Sequence, residues 1–563
     1  MNTKQRIAAL ALTTALLAAC GGASTPASQS NQQPHVLATS PARREEAQYP
    51  APTMALEATS APGYTMPPAA TAAPAQSNAA NGPTQIGAEP ASRVPVEPTS
   101  VSQHESTATP PADSTFQDYG VNPFIDTLRD HLSTFALDVD TASYAVTQRY
   151  LADGYLPPLE AVRAEEFINA FDQGYPKPAD VAFGLYADGA LSPFHNDGSY
   201  LLRLGVQGYD VPSAQRKSSR LTFIIDVSGS MAKDNRLGMV KQALGLLVQQ
   251  LYADDTVAIA AFTTNAWVAL EPTSGADKRT ILRAIDTLSP MDNTNVDAGL
   301  HVGYALADKM YQQGANNRVV LCSDGVANVS DVDPNTLVDF VRTYAQRDIL
   351  LTTIGVGMGN YNDVLIEQLA DKGNGFYAYV DTPEEAQKLF LEKLTGTLQT
   401  IALNAKVQVD FNPDVVSRYR LIGYENRAIA DQDFRNDTVD AGEIGAGHTA
   451  TAIYAVQLRP NAEGRIATLQ LRWQDPDTRQ VKEISGNVNT YDLASRFEDT
   501  SPRYQLAVTV AQFAEILRHS PYAGRIGLTQ LRSYANHVAR QLGDDADVQE
   551  FAQLVARASE FEQ

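Results

Sequence analysis

Leu221-Thr222-Phe223-Ile224-Ile225-Asp226-Val227-Ser228-Gly229-Ser230-Met231 joins an apolar run to a loop of oxygen donors. The run from Leu221 to Ile225 reads as a buried strand. It stops on Asp226, and the pattern Asp-x-Ser-x-Ser follows. A helix is predicted next, from about Asn235 to Tyr252. One carboxylate and two hydroxyls thus stand where a parallel strand ends and its crossover helix begins. In open α/β sheets that edge is where ligands bind. Three oxygen donors within so short a stretch suit a hard divalent cation such as Mg²⁺. Taken alone, the same residues also fit a plain loop whose Asp or Ser caps the next helix.

Outward from this stretch, strands and helices alternate as in a doubly wound, mostly parallel α/β sheet with helices on both faces. Further strands are predicted at Thr256 to Phe262, Trp267 to Leu270 (a short edge strand), Arg318 to Cys322, Ile349 to Ile354 and Gly375 to Val380. Helices are predicted near Ala276 to Leu288, Asp297 to Gln313 and Tyr361 to Ala370, and from Thr382 to Thr400. Asp333-Pro334 opens one more, with Asp as cap and Pro in the first turn. Two further polar groups fall at strand ends or crossover loops. Thr294 lies in Asp292-Asn293-Thr294-Asn295, and Asp324 follows the Arg318 strand.

In order, spacing and strand placement, Asp226-Val227-Ser228-Gly229-Ser230, Thr294 and Asp324 resemble the metal-ion-dependent adhesion site of von Willebrand factor type A domains. The resemblance covers roughly Arg220 to Thr400. It implies a divalent cation, Mg²⁺ first, with Mn²⁺ and Ca²⁺ as alternatives. It further implies that Ser228 and Ser230 contact the metal directly and Thr294 directly or through water. Asp226 and Asp324 would act mostly through water, and a partner's Asp or Glu would displace a bound water. One departure stands out. Relatives often carry Gly-Gly before the Thr, where this chain has Asp292-Asn293. Asn tolerates unusual backbone angles, whereas Asp292 adds negative charge that would weaken an acidic ligand.

The chain has 563 residues and a formal charge of −22. That length implies two to four domains. The charge argues against nucleic acid as a partner, since that binding rests on Lys and Arg against phosphate. At the amino terminus, Lys4 and Arg6 precede an apolar segment from Ile7 to Ala19 that is short for a membrane span. It ends in Leu17-Ala18-Ala19-Cys20-Gly21, which resembles a bacterial lipobox. The resemblance implies that Cys20 is lipidated and heads the mature chain. Gly at position 21, where Asp would retain the protein, implies the outer membrane if the organism has two. From Gly21 to about Asp113 the chain is rich in Ala, Pro, Ser, Thr and Gln and reads as a disordered tether.

On either side of the α/β region lie β-like runs: about Val181 to Ala187 and Tyr200 to Gln207 before it, and Ala405 to Phe411, Arg418 to Gly423, Thr449 to Leu458 and Ile466 to Trp473 after it. Neither set makes a comfortable sheet alone. They are expected to pair with one another, with the α/β domain inserted between them. Asp431 to Gly447 reads as a long loop, and helices are expected at Leu159 to Phe171, from Ser501-Pro502, and near Gly527 to Gln541 and Asp545 to Phe561. The runs Phe135 to Tyr144, Ile422-Gly423-Tyr424-Glu425-Asn426-Arg427 and Asp440-Ala441-Gly442-Glu443-Ile444-Gly445-Ala446-Gly447-His448 are similar to those of bacterial lipoproteins that carry this domain between dedicated flanking domains. The expected organisation is a signal peptide (1–19), tether (20–113), amino-terminal flanking domain (114–217), type A domain (218–400), β-rich domain (401–500) and helical segment (501–563).

Other candidates carry less. Asp138, Asp140 and Ser143 echo a second metal loop but read better as a helix cap. Cys322 reads as a small buried hydrophobe. Gly355-Val356-Gly357-Met358-Gly359-Asn360 lacks the final Gly of a dinucleotide fingerprint and reads as a turn. His301 reads as a surface or packed residue. With no nucleophile-and-base constellation in view, the chain is expected not to be an enzyme. The expectation is a lipid-anchored envelope protein that grips a protein partner through a divalent cation. The alternative is an envelope structural or assembly factor whose metal site serves stability.

Overall fold

The computed structural model describes residues 35–37, 40–41, 116–137, 139–179, 181–291, 293–325, 333–357, 363–393 and 399–562. The signal segment with Cys20, most of the tether, Asp138 and Asp292 lie outside these residues.

The α/β domain is a six-stranded sheet in the order Tyr377–Val380, Ile349–Val356, Asn316–Ser323, Ser219–Asp226, Thr256–Phe262, Ala266–Ser274. All neighbours are parallel except the last pair. Ser219–Asp226 is an interior strand. Leu221, Phe223 and Ile225 pack in one core with Leu237, Val240 and Leu244 of the Arg236–Gln250 helix. Ile224 packs on the opposite face with Leu300 and Tyr304 of the Val296–Met310 helix. Burial on both faces explains why this strand is continuously apolar instead of alternating. Cys322 is fully buried, and that burial pushes its thiol far up, as befits an inert packing residue.

The stretches before and after this domain fold as one body. Tyr200–Gly208 pairs antiparallel with Thr449–Leu458, running from Gln207 opposite Thr449 to Tyr200 opposite Val456. Phe183–Leu191 flanks it on one side and Val416–Ile422 lies beyond Thr449–Leu458 on the other. In a second sheet, Leu132–Ala136 pairs with Thr400–Phe411, which pairs with Arg465–Gln474 and then Val481–Asn489. Leu185, Leu202 and Leu204 of the first sheet share a core with Val407, Val409, Leu469 and Leu471 of the second. The result is a β-sandwich built from both flanks, so the α/β domain is an insertion in it. The helices Ala164–Asn169, Pro502–Leu517, Leu528–Gln541 and Ala546–Ala558 pack against the outer face of the first sheet.

Several expectations need correction. The last helix of the α/β domain does not reach Thr400. It is described as an α-helix over Pro383–Lys388 and a π-turn over Leu389–Lys393, and Thr400 already begins a strand. The Leu159 to Phe171 helix shrinks to a 3₁₀ turn and the short Ala164–Asn169 helix. The loop from Asp431 to Gly447 contains the strand Gly442–Gly445, paired with Thr400–Phe411. Val481–Asn489 is a further strand without a clear sequence signal, because it is half-exposed and interrupted by Gly486 and two Asn. The tether reading fails at two places: His35–Val36 and Ser40–Pro41 are strands paired with the sandwich.

Candidate metal centre

Asp226 closes its strand at the carboxyl edge of the parallel sheet, and the chain turns at once into the Gly229–Asn235 3₁₀ segment. The turn is held by its own side chains. Ser228 N–H donates to Asp226 Oδ1 (2.8 Å), and Ser323 Oγ donates to Asp226 Oδ2 (2.6 Å). Ser228 Oγ and Ser230 Oγ lie 3.0 Å apart, and Ser230 Oγ donates to Asp324 Oδ1 (2.8 Å). Four of the five expected residues therefore form one hydrogen-bonded cluster. Burial pushes the Asp226 carboxyl up to about 6, against the hydrogen bonds from Ser323 and Ser228, and the nearby Asp324 charge adds to the rise.

Thr294, the fifth expected residue, is half-buried and shares no hydrogen bond with this cluster among the described residues. Met291 N–H donates to Val227 O (2.7 Å), which ties residue 291 to the Asp-x-Ser turn. Asn293 sits at φ 62°, in the left-handed region that Asn tolerates better than most residues. Asn295 caps the following helix by accepting from Ala298 N–H (3.1 Å).

This donor set fits a small hard cation. Mg²⁺ at ~2.0–2.1 Å from its oxygens has cis oxygens ~3 Å apart, and the two serine hydroxyls stand at 3.0 Å. Neutral hydroxyls with two carboxylates also leave such an ion electrophilic. Sequence reasoning missed two partners of the cluster. One is Ser323, which holds Asp226. The other is Arg236, whose Nη1 donates to Asp324 Oδ2 (2.6 Å), with both side chains buried. A signal for Arg236 existed: it opens a helix, where the dipole disfavours a cation. Gly357, in the stretch that echoed a dinucleotide loop, is a turn residue with φ 72° lying against the Arg236 guanidinium.

Comparison with known proteins bears on this geometry. The chain is 34% identical over 452 residues to "Uncharacterized protein YfbK" of Escherichia coli (strain K12), covering 76% of this chain and 78% of that one. It belongs to the YfbK family. The model "Uncharacterized protein YfbK, C-terminal" matches residues 396–561, and the von Willebrand factor type A domain model matches 221–326, the stretch that holds all five site residues. A model described as von Willebrand factor matches 110–203. "Uncharacterized protein sll0103" of Synechocystis is 24% identical over 293 residues, covering 50% of this chain and 68% of that one. Among solved structures, "von Willebrand factor type A from Catenulispora acidiphila" aligns at 13% identity and a TM-score of 0.40, covering 66% of this chain and 89% of that one. The YfbK-family chain is thus a bacterial protein with a von Willebrand factor type A domain.

Residues of the flanking runs singled out in the sequence form the joint between sandwich and domain. Asn426 Nδ2 donates to Glu367 Oε1 (2.8 Å), and Arg427 bridges Asp140 (3.0 Å), Asp371 (2.5 Å) and Glu367 (3.4 Å). Glu367 and Asp371 belong to the Asp363–Lys372 helix of the type A domain. Asp140, expected to cap a helix, instead accepts from Tyr377 N–H (2.8 Å) on the edge strand of that domain. Neither role follows from local sequence, because each depends on a partner far along the chain.

Proposed function

We propose that this protein is a non-enzymatic, lipid-anchored component of the bacterial envelope that binds a protein partner through a divalent cation. Asp226, Ser228, Ser230, Thr294 and Asp324 would hold the ion, with Mg²⁺ favoured by the donor set. The carrying observation is the convergence of the Ser228 and Ser230 hydroxyls with Asp324 at the carboxyl edge of the sheet. The ion would supply an electrophilic position for a carboxylate from the partner. The chain's own residues do the rest. Ser323 orients Asp226, the Met291–Val227 hydrogen bond braces the turn, and Arg236 balances the charge of Asp324. Met291, 49% exposed beside this turn, offers an apolar contact next to the charged one. Type A domains commonly mediate protein–protein contacts, which accords with this reading. The anchor would be Cys20, and Cys20→Ala should abolish labelling by radioactive palmitate.

Crosslinking in cells followed by mass spectrometry tests the proposal. The partner set of the wild-type chain should vanish with a chelator, return with Mg²⁺ and be missing from Asp226→Ala. A partner set indifferent to chelator, with a lowered melting temperature, would favour the structural role of the metal instead.

A further inference from the structure

The sandwich is closed along one side by a piece of chain far from it in sequence. His35–Val36 adds to the outer edge of Phe183–Leu191, with His35 opposite Ala187 and Val36 opposite Tyr186. Ser40–Pro41 adds to the outer edge of Val481–Asn489, in the other sheet, with Ser40 opposite Ser485 and Pro41 opposite Ile484. The two short strands therefore sit on the edges of different sheets of the sandwich. Leu37 N–H donates to Leu185 O (2.9 Å), and the Leu37 side chain drops into the shared core at 4% exposure. Its neighbour Val36 faces outward at 66%. The sandwich has a fitted place for Leu37: at Gly486, a Cβ would come within 2.5 Å of Leu37 Cβ, and the three nearest atoms it would meet all belong to Leu37. Strand edges left open invite pairing with other chains, and here the occupant is supplied by the chain itself.

We propose that residues 35–37 and 40–41 act as a strap that docks in cis on the sandwich and sets how far the folded body stands from its anchor, a role that rests on the lipid-anchor reading above. The chain from Cys20 to His35 spans at most ~50 Å when fully extended. If the strap is released, the next described residue is Phe116, and the same limit becomes more than ~300 Å. One buried leucine and two short pairings hold the strap, so it opens far more readily than the sandwich unfolds. Docked, the strap keeps the metal-binding domain near the membrane surface. Released, it lets the domain search a much deeper volume of the envelope.

The test has two arms. In the first, amide exchange is followed in the full chain in detergent. Leu37 should exchange at least ~10-fold faster in Gly486→Ala than in wild type, while the Tyr200–Gly208 strand keeps its protection. Equal Leu37 rates in the two proteins would overturn docking. Protection that appears only with dimerisation, seen by light scattering, would overturn docking in cis. In the second arm, the lipidated chain carries a donor dye on Tyr491→Cys, a site 78% exposed, in vesicles of phosphatidylethanolamine and phosphatidylglycerol with acceptor-labelled headgroups. Energy transfer should be strong in wild type and fall by more than half in Gly486→Ala and in Leu37→Asp. Unchanged transfer in both variants would overturn the control of reach. Slow Leu37 exchange in a chain that does not enter vesicles would remove the anchor, and the reach with it, while docking stood.

Discussion

Arg236 and Asp324 form a buried ion pair at the candidate metal site, with 2.6 Å between Nη1 and Oδ2. The pair gives the site an internal counter-charge in place of part of what a metal would provide. Breaking a buried pair by removing one partner typically costs about 3–5 kcal/mol. Arg236→Gln should therefore lower the melting temperature measured in chelator. The same change removes a cation that repels the incoming ion. Mg²⁺ should bind Arg236→Gln about 10-fold more tightly by calorimetry, about 1.4 kcal/mol, and should restore part of the lost melting temperature. Weaker Mg²⁺ binding by the variant would mean that Arg236 is needed to orient Asp324 rather than to oppose the metal.

Asp226 is held by Ser228 and Ser323 at the end of an interior strand. Asp226→Ala should abolish Mg²⁺ binding in calorimetry. The strand itself is fixed by Leu221, Phe223, Ile224 and Ile225, so the circular dichroism spectrum should be nearly unchanged. Metal affinity equal to wild type would place the ion elsewhere.

The apolar run and the Asp-x-Ser-x-Ser turn were legible because both signals are local. A strand buried on two faces is continuously apolar, and the donors follow one another in sequence. The pairing of the two flanks could be inferred because neither set of strands suffices alone. Arg236, Asp140 and Arg427 were not legible in the same way. Their roles exist only where Asp324, Tyr377 and Glu367 are brought to them by the fold. Leu37 was hidden by its surroundings, a single buried leucine in a compositionally tether-like stretch.

The last helix of the type A domain begins in a pH-sensitive cap. Glu385 accepts from Asp381 N–H (3.0 Å) and Thr382 N–H (3.3 Å), and Thr382 completes a capping box. Burial, and then the charge of Asp381, raise Glu385 to about 7; burial raises Asp381 as well. Arg149 faces the pair from the Ala142–Ala152 helix, and Lys388, Asp547 and Glu550 lie alongside. Because the folded form holds a proton that the unfolded chain releases, this stability is full below the ordinary glutamate value of 4.5 and is lost as pH rises to about 7. The loss is on the order of 1–3 kcal/mol. Glu385→Gln should match wild type near pH 4.5 in thermal melts and be the more stable protein above pH 7. A difference that does not grow with pH would show that the cap does not titrate in this range.

That helix is also the route by which the metal site could communicate with the sandwich. Phe390 and Leu389 pack in the same core as Ile225 and Val227, which carry the Asp226 turn, while Lys388 pairs with Asp547 of the carboxy-terminal helices. The described part ends in a π-turn, a form that often marks functional positions. Binding at one end and position at the other are linked reciprocally if the helix has two states. Adding Mg²⁺ to the full chain should then change amide exchange across residues 383–393. Severing the tie with Lys388→Met or Asp547→Asn should shift Mg²⁺ affinity in one common direction, about 5- to 10-fold at the lower end of usual couplings. The double variant should shift it no further than either single one, because both remove the same contact. If exchange in 383–393 ignores Mg²⁺ and both variants bind it as wild type does, the helix is a rigid strut and the site is a fixed clamp.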